Sequence, residues 1–266
     1  MIVTLLTDYG SEDEFAGVCH GVIRGIAPDV SIVDVTHGIP RHDVRRGALV
    51  LRNTLPYMPS GVHVAVVDPQ VGTERRALGL RCNDGRVLVG PDNGLLSLAW
   101  QGAGGVNLAV DVTRSTHRLE PVSATFHGRD VFAAVAARLA IGAELADAGE
   151  PVDPETLEVI ELPQPSRDGD TLLAHVLTVD AFGNASLDVT HSELVGTGLT
   201  LGSKVEIETE GRRRIATYAS TFADVPAGEL MVYEDAYRTL AIAINRGHAQ
   251  STLELSADSE VRLRPR

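Results

Sequence analysis

The sequence is poor in aromatic residues, which make up 4% of its 266 residues, and it contains only two cysteines. The core must therefore be built mainly from aliphatic side chains. Cys19 and Cys82 lie among apolar residues and lack the spacing of a metal site, so we expect buried thiols in a reducing compartment. Apolar runs of about 18 residues and a basic leader are also missing, which argues against a membrane span and a signal peptide. The expected location is the cytoplasm.

Positive charge is scarce as well. The chain has 23 Lys and Arg against 36 Asp and Glu, and its formal net charge is −13. Such a surface repels nucleic acid and anionic membranes, so neither is an expected partner. A cationic small molecule is compatible with it, although acidic surfaces commonly serve solubility alone.

The order of strand and helix patterns predicts two domains. Residues 1–150 alternate strands with helices, which predicts an α/β domain with a mainly parallel central sheet. Residues 151–170 contain four prolines and are interpreted as a connecting arm. Strand patterns dominate residues 171–266, which predicts a smaller all-β, barrel-like domain.

Two helices of the first domain can be outlined from local signals. Ser11 and Glu14 have the spacing of a capping box at the start of one helix. An alanine-rich segment predicts a second helix over Asp130–Ala146.

The most informative segment is the loop after the predicted strand Val62–Val67. Asp68-Pro69 ends the strand, and Arg75 follows after a short turn. The strand end thus offers a carboxylate and a guanidinium at the edge where ligands of open α/β sheets bind. Taken alone, the same residues are equally compatible with ordinary turn chemistry and a surface ion pair.

Other motifs make the pattern specific. They are Leu5–Gly10, Val89–Leu96, Phe126–Asp130 and Asp180–Asn184. Together with the Asp68 loop, these segments resemble the S-adenosylmethionine (SAM) hydrolase family, also called SAM hydroxide adenosyltransferases, which is related to fluorinating and chlorinating enzymes. The resemblance spans nearly the whole chain. It implies cofactor-free displacement at C5′ of SAM by water, giving adenosine and L-methionine.

The resemblance implies a catalytic set of Asp68, Arg75 and His127 around the attacking water. A sulfonium leaves as a neutral thioether, so the enzyme needs mainly to orient and deprotonate one water. Arg75 would stabilise developing hydroxide, and either His127 or Asp68 would accept the proton. Without the resemblance, the residues alone favour His127 as a turn residue before a helix.

The resemblance also implies substrate-binding residues in both domains. Asp8 would bind the ribose hydroxyls, and a turn or capping role is its alternative. Asn184 would pair with adenine, Phe182 would stack on it and Asp180 would meet the methionine ammonium, while a plain hairpin is the alternative. Arg238 is a candidate for the methionine carboxylate. The remaining expected site residues are His42, Phe126 and Gly128.

Two departures from the family pattern bear on this expectation. Gln70 occupies a position where the family usually has glycine, which affects the backbone of the Asp68 loop. Glu234–Arg238 replaces a segment that is usually rich in small residues, near the methionine end. The halogenating relatives lack an acid at the place of Asp68, so its presence favours water over halide as the nucleophile.

Two other functions remain open from the residues. Asp8, Asp68, Asp92 and His127 could form a metal-dependent phosphoesterase, although no clustered metal motif is present. A binding-only SAM or adenosine protein would use the same pocket without turnover. No metal site is predicted, because His37 and His42 are five positions apart without a fixed helix. The resemblance finally implies a homotrimer with sites between subunits.

Overall fold

The computed structural model describes all residues, 1–266, and divides into two compact units, Met1–Ile160 and Glu161–Arg266. No helix in it has the length and apolar character needed to cross a membrane.

The first unit is an α/β domain built on a seven-stranded sheet. Its strands are β1 (Ile2–Thr7), β2 (Ser31–Thr36), β3 (Val62–Val66), β4 (Ala77–Cys82), β5 (Val87–Pro91), β6 (Val106–Asp111) and β7 (Glu150–Pro151). They are ordered β2-β1-β3-β5-β4-β6-β7. The first four in this order are parallel, and β4, β6 and β7 extend the sheet in antiparallel fashion. The predicted α/β fold with a mainly parallel sheet is confirmed.

Helices cover the sheet. They are α1 (Phe15–Ile26), α2 (Val44–Thr54), α3 (Ser97–Gly102), and a π-helical turn (Gly128–Ala133) that runs directly into α4 (Ala134–Ala140). Short 3-10 turns occupy Leu55–Tyr57, Leu145–Asp147 and Pro154–Thr156. The core beneath α1 and α4 is mainly Val, Leu, Ile and Ala, with Phe132 as its large buried aromatic ring. The expectation of an aliphatic core is confirmed.

Two local predictions are wrong. Ser11 and Glu14 do not form a capping box, because the helix begins at Phe15 and its N-cap Glu14 makes no side-chain cap bond. The alanine-rich helix ends at Ala140 rather than Ala146. Gly142 there adopts a φ of 104°, a conformation that glycine tolerates and that ends the helix.

The second unit is a β-barrel. Its strands are β8 (Ser166–Asp168), β9 (Thr171–Val179), β10 (Ala185–Thr190), β11 (Lys204–Thr209), β12 (Arg212–Tyr218), β13 (Leu230–Glu234), β14 (Thr239–Ile244) and β15 (Glu260–Pro265). Its helical segments are α5 (His191–Leu194), a 3-10 turn (Phe222–Asp224) and α6 (Ala249–Leu253). The strand order is β10-β14-β13-β12-β11-β15-β9-β8, and β10 also pairs with β9. This pairing closes seven strands into a barrel, as predicted.

Candidate active site

Two carboxylates leave the same edge of the parallel sheet. Asp8 follows β1 and Asp68 follows β3, and these strands are neighbours whose last residues, Thr7 and Val66, are paired. The amide of Asp8 also donates to the carbonyl of Val66 at 3.4 Å. Because both strands run in one direction, their carboxyl ends bring the two side chains to one region, as in other α/β proteins.

The loop after β3 returns Arg75 to Asp68. Arg75 Nε lies 3.0 Å from Oδ1 and 3.1 Å from Oδ2 of Asp68, and Nη2 donates to Oδ2 as well. The turn is made at Gly72, which has a φ of 82° and has the carbonyl oxygen of Ala124 where a Cβ would lie. Gln70 does not have a positive φ, so its backbone does not require the glycine usual at this position.

The guanidinium of Arg75 also contacts His127, the backbone of Arg76 and the ring of Phe132. Its Nη2 lies 3.0 Å from His127 Nδ1 and its Nη1 donates to the carbonyl of Arg76 at 3.3 Å. The ring of Phe132 lies 5.3 Å from its Cζ. The side chains of Arg75 and Asp68 are only 4% and 6% exposed, so their charges interact with little screening by water.

The contact with Arg75 fixes the form of His127. A guanidinium has only N–H donors, so Nδ1 must be the acceptor and the proton of the neutral ring lies on Nε2. Burial, and next the positive charge of Arg75, lower the pKa of His127 below its ordinary value. The imidazole is therefore neutral at neutral pH.

A cavity of about 210 Å³ opens over these groups. Among its lining residues are the sequence-predicted Asp8, His42, Asp68, Phe126, His127 and Gly128. Arg75 is not part of the lining and lies behind Asp68 and His127. The guanidinium thus contacts the two polar groups that face the cavity rather than the cavity itself.

The β1–α1 turn and the start of α2 shape one side of the cavity, which Asp8 and His42 line. Asp8 Oδ2 accepts a hydrogen bond from the backbone amide of His42 at 3.0 Å. His42 has a φ of 66°, and the next residue, Asp43, caps α2 by accepting from Arg46 N at 2.9 Å. This bond holds the Asp8 carboxylate at the wall of the cavity.

Sequence reasoning missed an aromatic wall. Tyr9 and Phe15 line the cavity beside Phe126, with ring centroids 5.2 to 5.9 Å apart. In a chain with 4% aromatics, such a cluster is a signal of a site, but only the fold brings the rings together. Gly128 is required here, because a Cβ would overlap the hydroxyl of Tyr9.

In the second unit, Asp180 organises the turn between β9 and β10. Its Oδ1 accepts from the amides of Phe182 (2.8 Å) and Asn184 (2.9 Å), and its Oδ2 accepts from Asn184 Nδ2 at 2.8 Å. Both oxygens are therefore engaged in the turn itself. Asn184 is 9% exposed, whereas Phe182, two residues earlier in the same turn, is 77% exposed.

The same turn borders a cavity of about 590 Å³. Asp180, Phe182 and Asn184 line it together with Phe222, Ile244, Arg246 and Gly247, which sequence reasoning missed. Arg238 does not line this cavity. It lies in the β13–β14 turn with a φ of 62°, and its amide donates to the Asp235 carbonyl at 3.1 Å.

Comparison with known families identifies the chain. The model of the SAM hydroxide adenosyltransferase N-terminal domain matches residues 3–149, and that of the C-terminal domain matches residues 174–262. The chain belongs to the SAM hydroxide adenosyltransferase family. The resemblance inferred from the motifs is confirmed.

Relatives agree with this membership along the full length. A protein of Salinispora arenicola named (R)-S-adenosyl-L-methionine hydrolase is 48% identical over 98% of this chain and 97% of its own. A fluorinase of an Actinoplanes species is 25% identical over 92% of this chain and 91% of its own. The solved structure of an uncharacterized conserved protein from Thermotoga maritima matches with a TM-score of 0.92 at 32% identity, covering 99% of both chains.

Asp92 has a structural role, because both of its carboxylate oxygens accept hydrogen bonds within the first unit. Its Oδ2 accepts from Arg76 Nε at 2.7 Å, and its Oδ1 accepts from the amide of Glu158 at 2.9 Å. Arg76 also donates to Thr156, so the pair anchors the extended segment that follows β7. The neighbouring Asn93 donates to the Val67 carbonyl at 2.9 Å. These bonds leave the phosphoesterase alternative without its third carboxylate.

Proposed function

We propose that this chain hydrolyses SAM to adenosine and L-methionine, as the name of its Salinispora relative indicates for that protein. One observation carries the proposal. Asp68 and His127 line a single cavity with Asp8, and Arg75 bonds to both of them from behind. This arrangement provides a ribose acceptor and an activated-water site in one place.

The reaction needs a single displacement. The oxygen of water attacks C5′, the C5′–S bond breaks, and its electron pair leaves on sulfur as the neutral thioether of methionine. The water loses one proton to the enzyme, and adenosine carries the new 5′ hydroxyl. The enzyme contributes mainly in-line orientation of water and proton removal.

Asp68 is our proposed proton acceptor. The Nδ1 lone pair of His127 already accepts from Arg75, so a water proton would have to compete with a guanidinium donor. Asp68 also accepts from Arg75, but a carboxylate has about four lone-pair positions and retains capacity for a water. His127, with its proton on Nε2, then serves as a donor that orients water or substrate.

Arg75 acts in this proposal as a positioning residue. Its bidentate contact fixes the Asp68 carboxylate, and its charge stabilises the negative charge that develops on the attacking water oxygen. Two charges about 4 Å apart interact by roughly 4 kcal/mol at an effective dielectric near 20, which is enough to matter for a rate.

Water is favoured over halide as the nucleophile. An anionic Asp68 at the cavity repels a halide ion but accepts a hydrogen bond from water. No Lewis acid is required, because a sulfonium is already an activated leaving group. The aromatic wall of Tyr9, Phe15 and Phe126 suits a sulfonium cation, whose charge is attracted to ring faces.

The simplest test incubates purified protein with SAM after chelator treatment and separates the products by chromatography. We expect adenosine and methionine in equal amounts. Release of 5′-chloro-5′-deoxyadenosine in chloride buffer would show that the nucleophile is halide and not water. Activity that disappears with chelator and returns with a divalent ion would favour the phosphoesterase, and binding without turnover would favour a SAM sensor. Assaying both sulfonium epimers tests a preference for the R form that the relative's name specifies.

We further propose that Phe182 and Asn184 bind adenine and that the enzyme is a homotrimer, with the amino domain of one subunit meeting the carboxyl domain of its neighbour. The support is an exposed aromatic ring beside an amide in an open cavity, plus the family resemblance. We also keep the cytoplasm as the compartment, supported by two buried, unpaired cysteines.

Mixing subunits tests this assembly. An Asp68→Ala protein and an Asn184→Ala protein, each weakly active, are dissociated, mixed and reassociated. Sites shared between subunits regain activity, because some sites then contain neither lesion. Sites completed within one chain always keep one lesion, so unchanged activity after verified exchange contradicts the shared arrangement.

A further inference from the structure

A group of metal-ligating side chains lies outside the cavity, between α1 and the edge strand β2. His20 Nε2 on α1 lies 2.8 Å from Asp34 Oδ1 on β2, and His37 Nε2 lies 3.1 Å from the same oxygen. One ligand atom of each residue lies within 4.8 Å of the others. None of the three lines the cavity with Asp68.

The environment of His37 indicates a missing partner. Its Nε2 is buried and makes no hydrogen bond, since the approach to Asp34 lacks the required geometry. Its Nδ1 lies 2.8 Å from Thr7 Oγ1. If His37 Nδ1–H donates to Thr7, the lone pair of His37 Nε2 points towards Asp34 Oδ1, and the two atoms repel each other. A cation bound between them would replace this repulsion with two metal–ligand bonds.

The donor set selects a class of metal. Two imidazole nitrogens and one carboxylate oxygen are ligands for zinc-type divalent ions, with water in the fourth position. In a tetrahedral zinc site, bonds of about 2.0–2.2 Å put ligand atoms roughly 3.3 Å apart. The distances from Asp34 Oδ1 to Nε2 of His20 and of His37, 2.8 and 3.1 Å, are close to this value. The Thr7 hydroxyl provides the outer hydrogen bond that ligating histidines usually have.

We propose that His20, Asp34 and His37 form a binding site for a divalent transition metal such as Zn²⁺. The metal would clamp α1 onto the edge of the sheet. This is a stabilising role, since α1 supplies Phe15 to the cavity while the proposed hydrolytic step needs no metal. The inference does not depend on the proposed reaction.

Spacing in the sequence could not reveal this site. His20 and Asp34 are 14 residues apart on different elements, and the packing of α1 against the sheet brings them together. His42, the other histidine near His37 in sequence, lines the cavity instead.

The test uses Co²⁺ as a spectroscopic probe and Zn²⁺ as a competitor on chelator-stripped full-length protein. We expect visible absorption typical of tetrahedral Co²⁺ at one equivalent per chain, its loss on adding Zn²⁺, and a melting temperature several degrees higher with Zn²⁺. His20→Asn and Asp34→Asn change partly exposed side chains and should remove the signal and most of the shift, with affinity at least about tenfold weaker.

His191→Asn is the matched control. His191 is exposed and also pairs with a carboxylate, Glu234, at 3.2 Å, but it has no second imidazole beside it. This variant should bind Co²⁺ like the unaltered protein. Absence of a stoichiometric signal in the unaltered protein, or equal binding by His20→Asn and Asp34→Asn, would overturn the proposal. Neither result would bear on SAM hydrolysis, which is assayed separately without metal.

Discussion

The two cavities of this protein differ in how their polar groups are held. Around Asp68, the charged side chains are almost fully buried and bond to one another, so each is fixed before a ligand arrives. Around Phe182, the polar bonds shape a turn, and the aromatic ring is left 77% exposed. A prearranged charge network suits a reaction, whereas an exposed ring suits recognition.

This difference predicts that the first unit determines mainly the turnover rate and the second unit mainly the affinity for the substrate. Changes near Asp68 should act mainly on turnover, because they remove interactions that strengthen in the transition state. Changes near Phe182 should act mainly on binding. If changes near Asp68 and changes near Phe182 both altered turnover, or both altered binding, the two cavities would not differ in role.

The largest expected effect is that of Asp68→Asn. The shape is retained, but the proposed proton acceptor is lost, so kcat should fall by about 10³-fold with SAM affinity changed little. Single-turnover rates and calorimetric binding of SAM measure the two quantities separately. A parallel loss of affinity would make Asp68 a substrate clamp.

Arg75→Lys should lower kcat by about 10²-fold. Lysine keeps the charge but cannot hold Asp68 through two bonds and His127 through a third, so the water site loses its geometry. Arg76→Lys is the matched control, because the neighbouring arginine contacts Asp92 and Thr156 instead. Equal losses in both variants would show a general loss of folding rather than a role at the site.

Phe182→Ala should raise KM about tenfold and leave kcat within about threefold. Stacking of a base on an aromatic ring contributes roughly 1–3 kcal/mol, which the substitution removes. Leu201→Ala serves as the control, since Leu201 is 65% exposed in the same unit and does not line the cavity. A fall in kcat without a change in KM would place Phe182 in the chemical step.

The smallest effect on activity is expected for a buried histidine outside the cavity, His63. Burial lowers the pKa of His63 from 6.5 to about 4. Between these values the unfolded chain binds a proton that the folded chain does not, so the free energy of unfolding should fall as pH drops from 6.5 towards 4. His63→Leu should flatten this part of the curve in chemical denaturation. If the free energy of unfolding of His63→Leu depended on pH as steeply as that of the unaltered protein, groups other than His63 would be responsible for the pH dependence.

The sequence predicts those features that depend on strand ends. Asp8 and Asp68 follow apolar strands, and parallel pairing brings such positions to one edge regardless of the details of packing. Helix limits were less predictable, because the ends depend on the backbone of single residues such as Glu14 and Gly142. The short turn before Arg75 was predictable, but the position of its guanidinium behind the cavity was not, because that position depends on contacts with Asp68 and His127.

In the proposed reaction, water held at Asp68 attacks C5′ of SAM. Hydrolysis of SAM in water enriched in ¹⁸O, followed by mass spectrometry of the products, tests it most directly. We expect one ¹⁸O atom in the 5′ hydroxyl of adenosine and none in methionine, at a rate that falls with Asp68→Asn. Adenosine without the label, or labelling at an unchanged rate in Asp68→Asn, would contradict it.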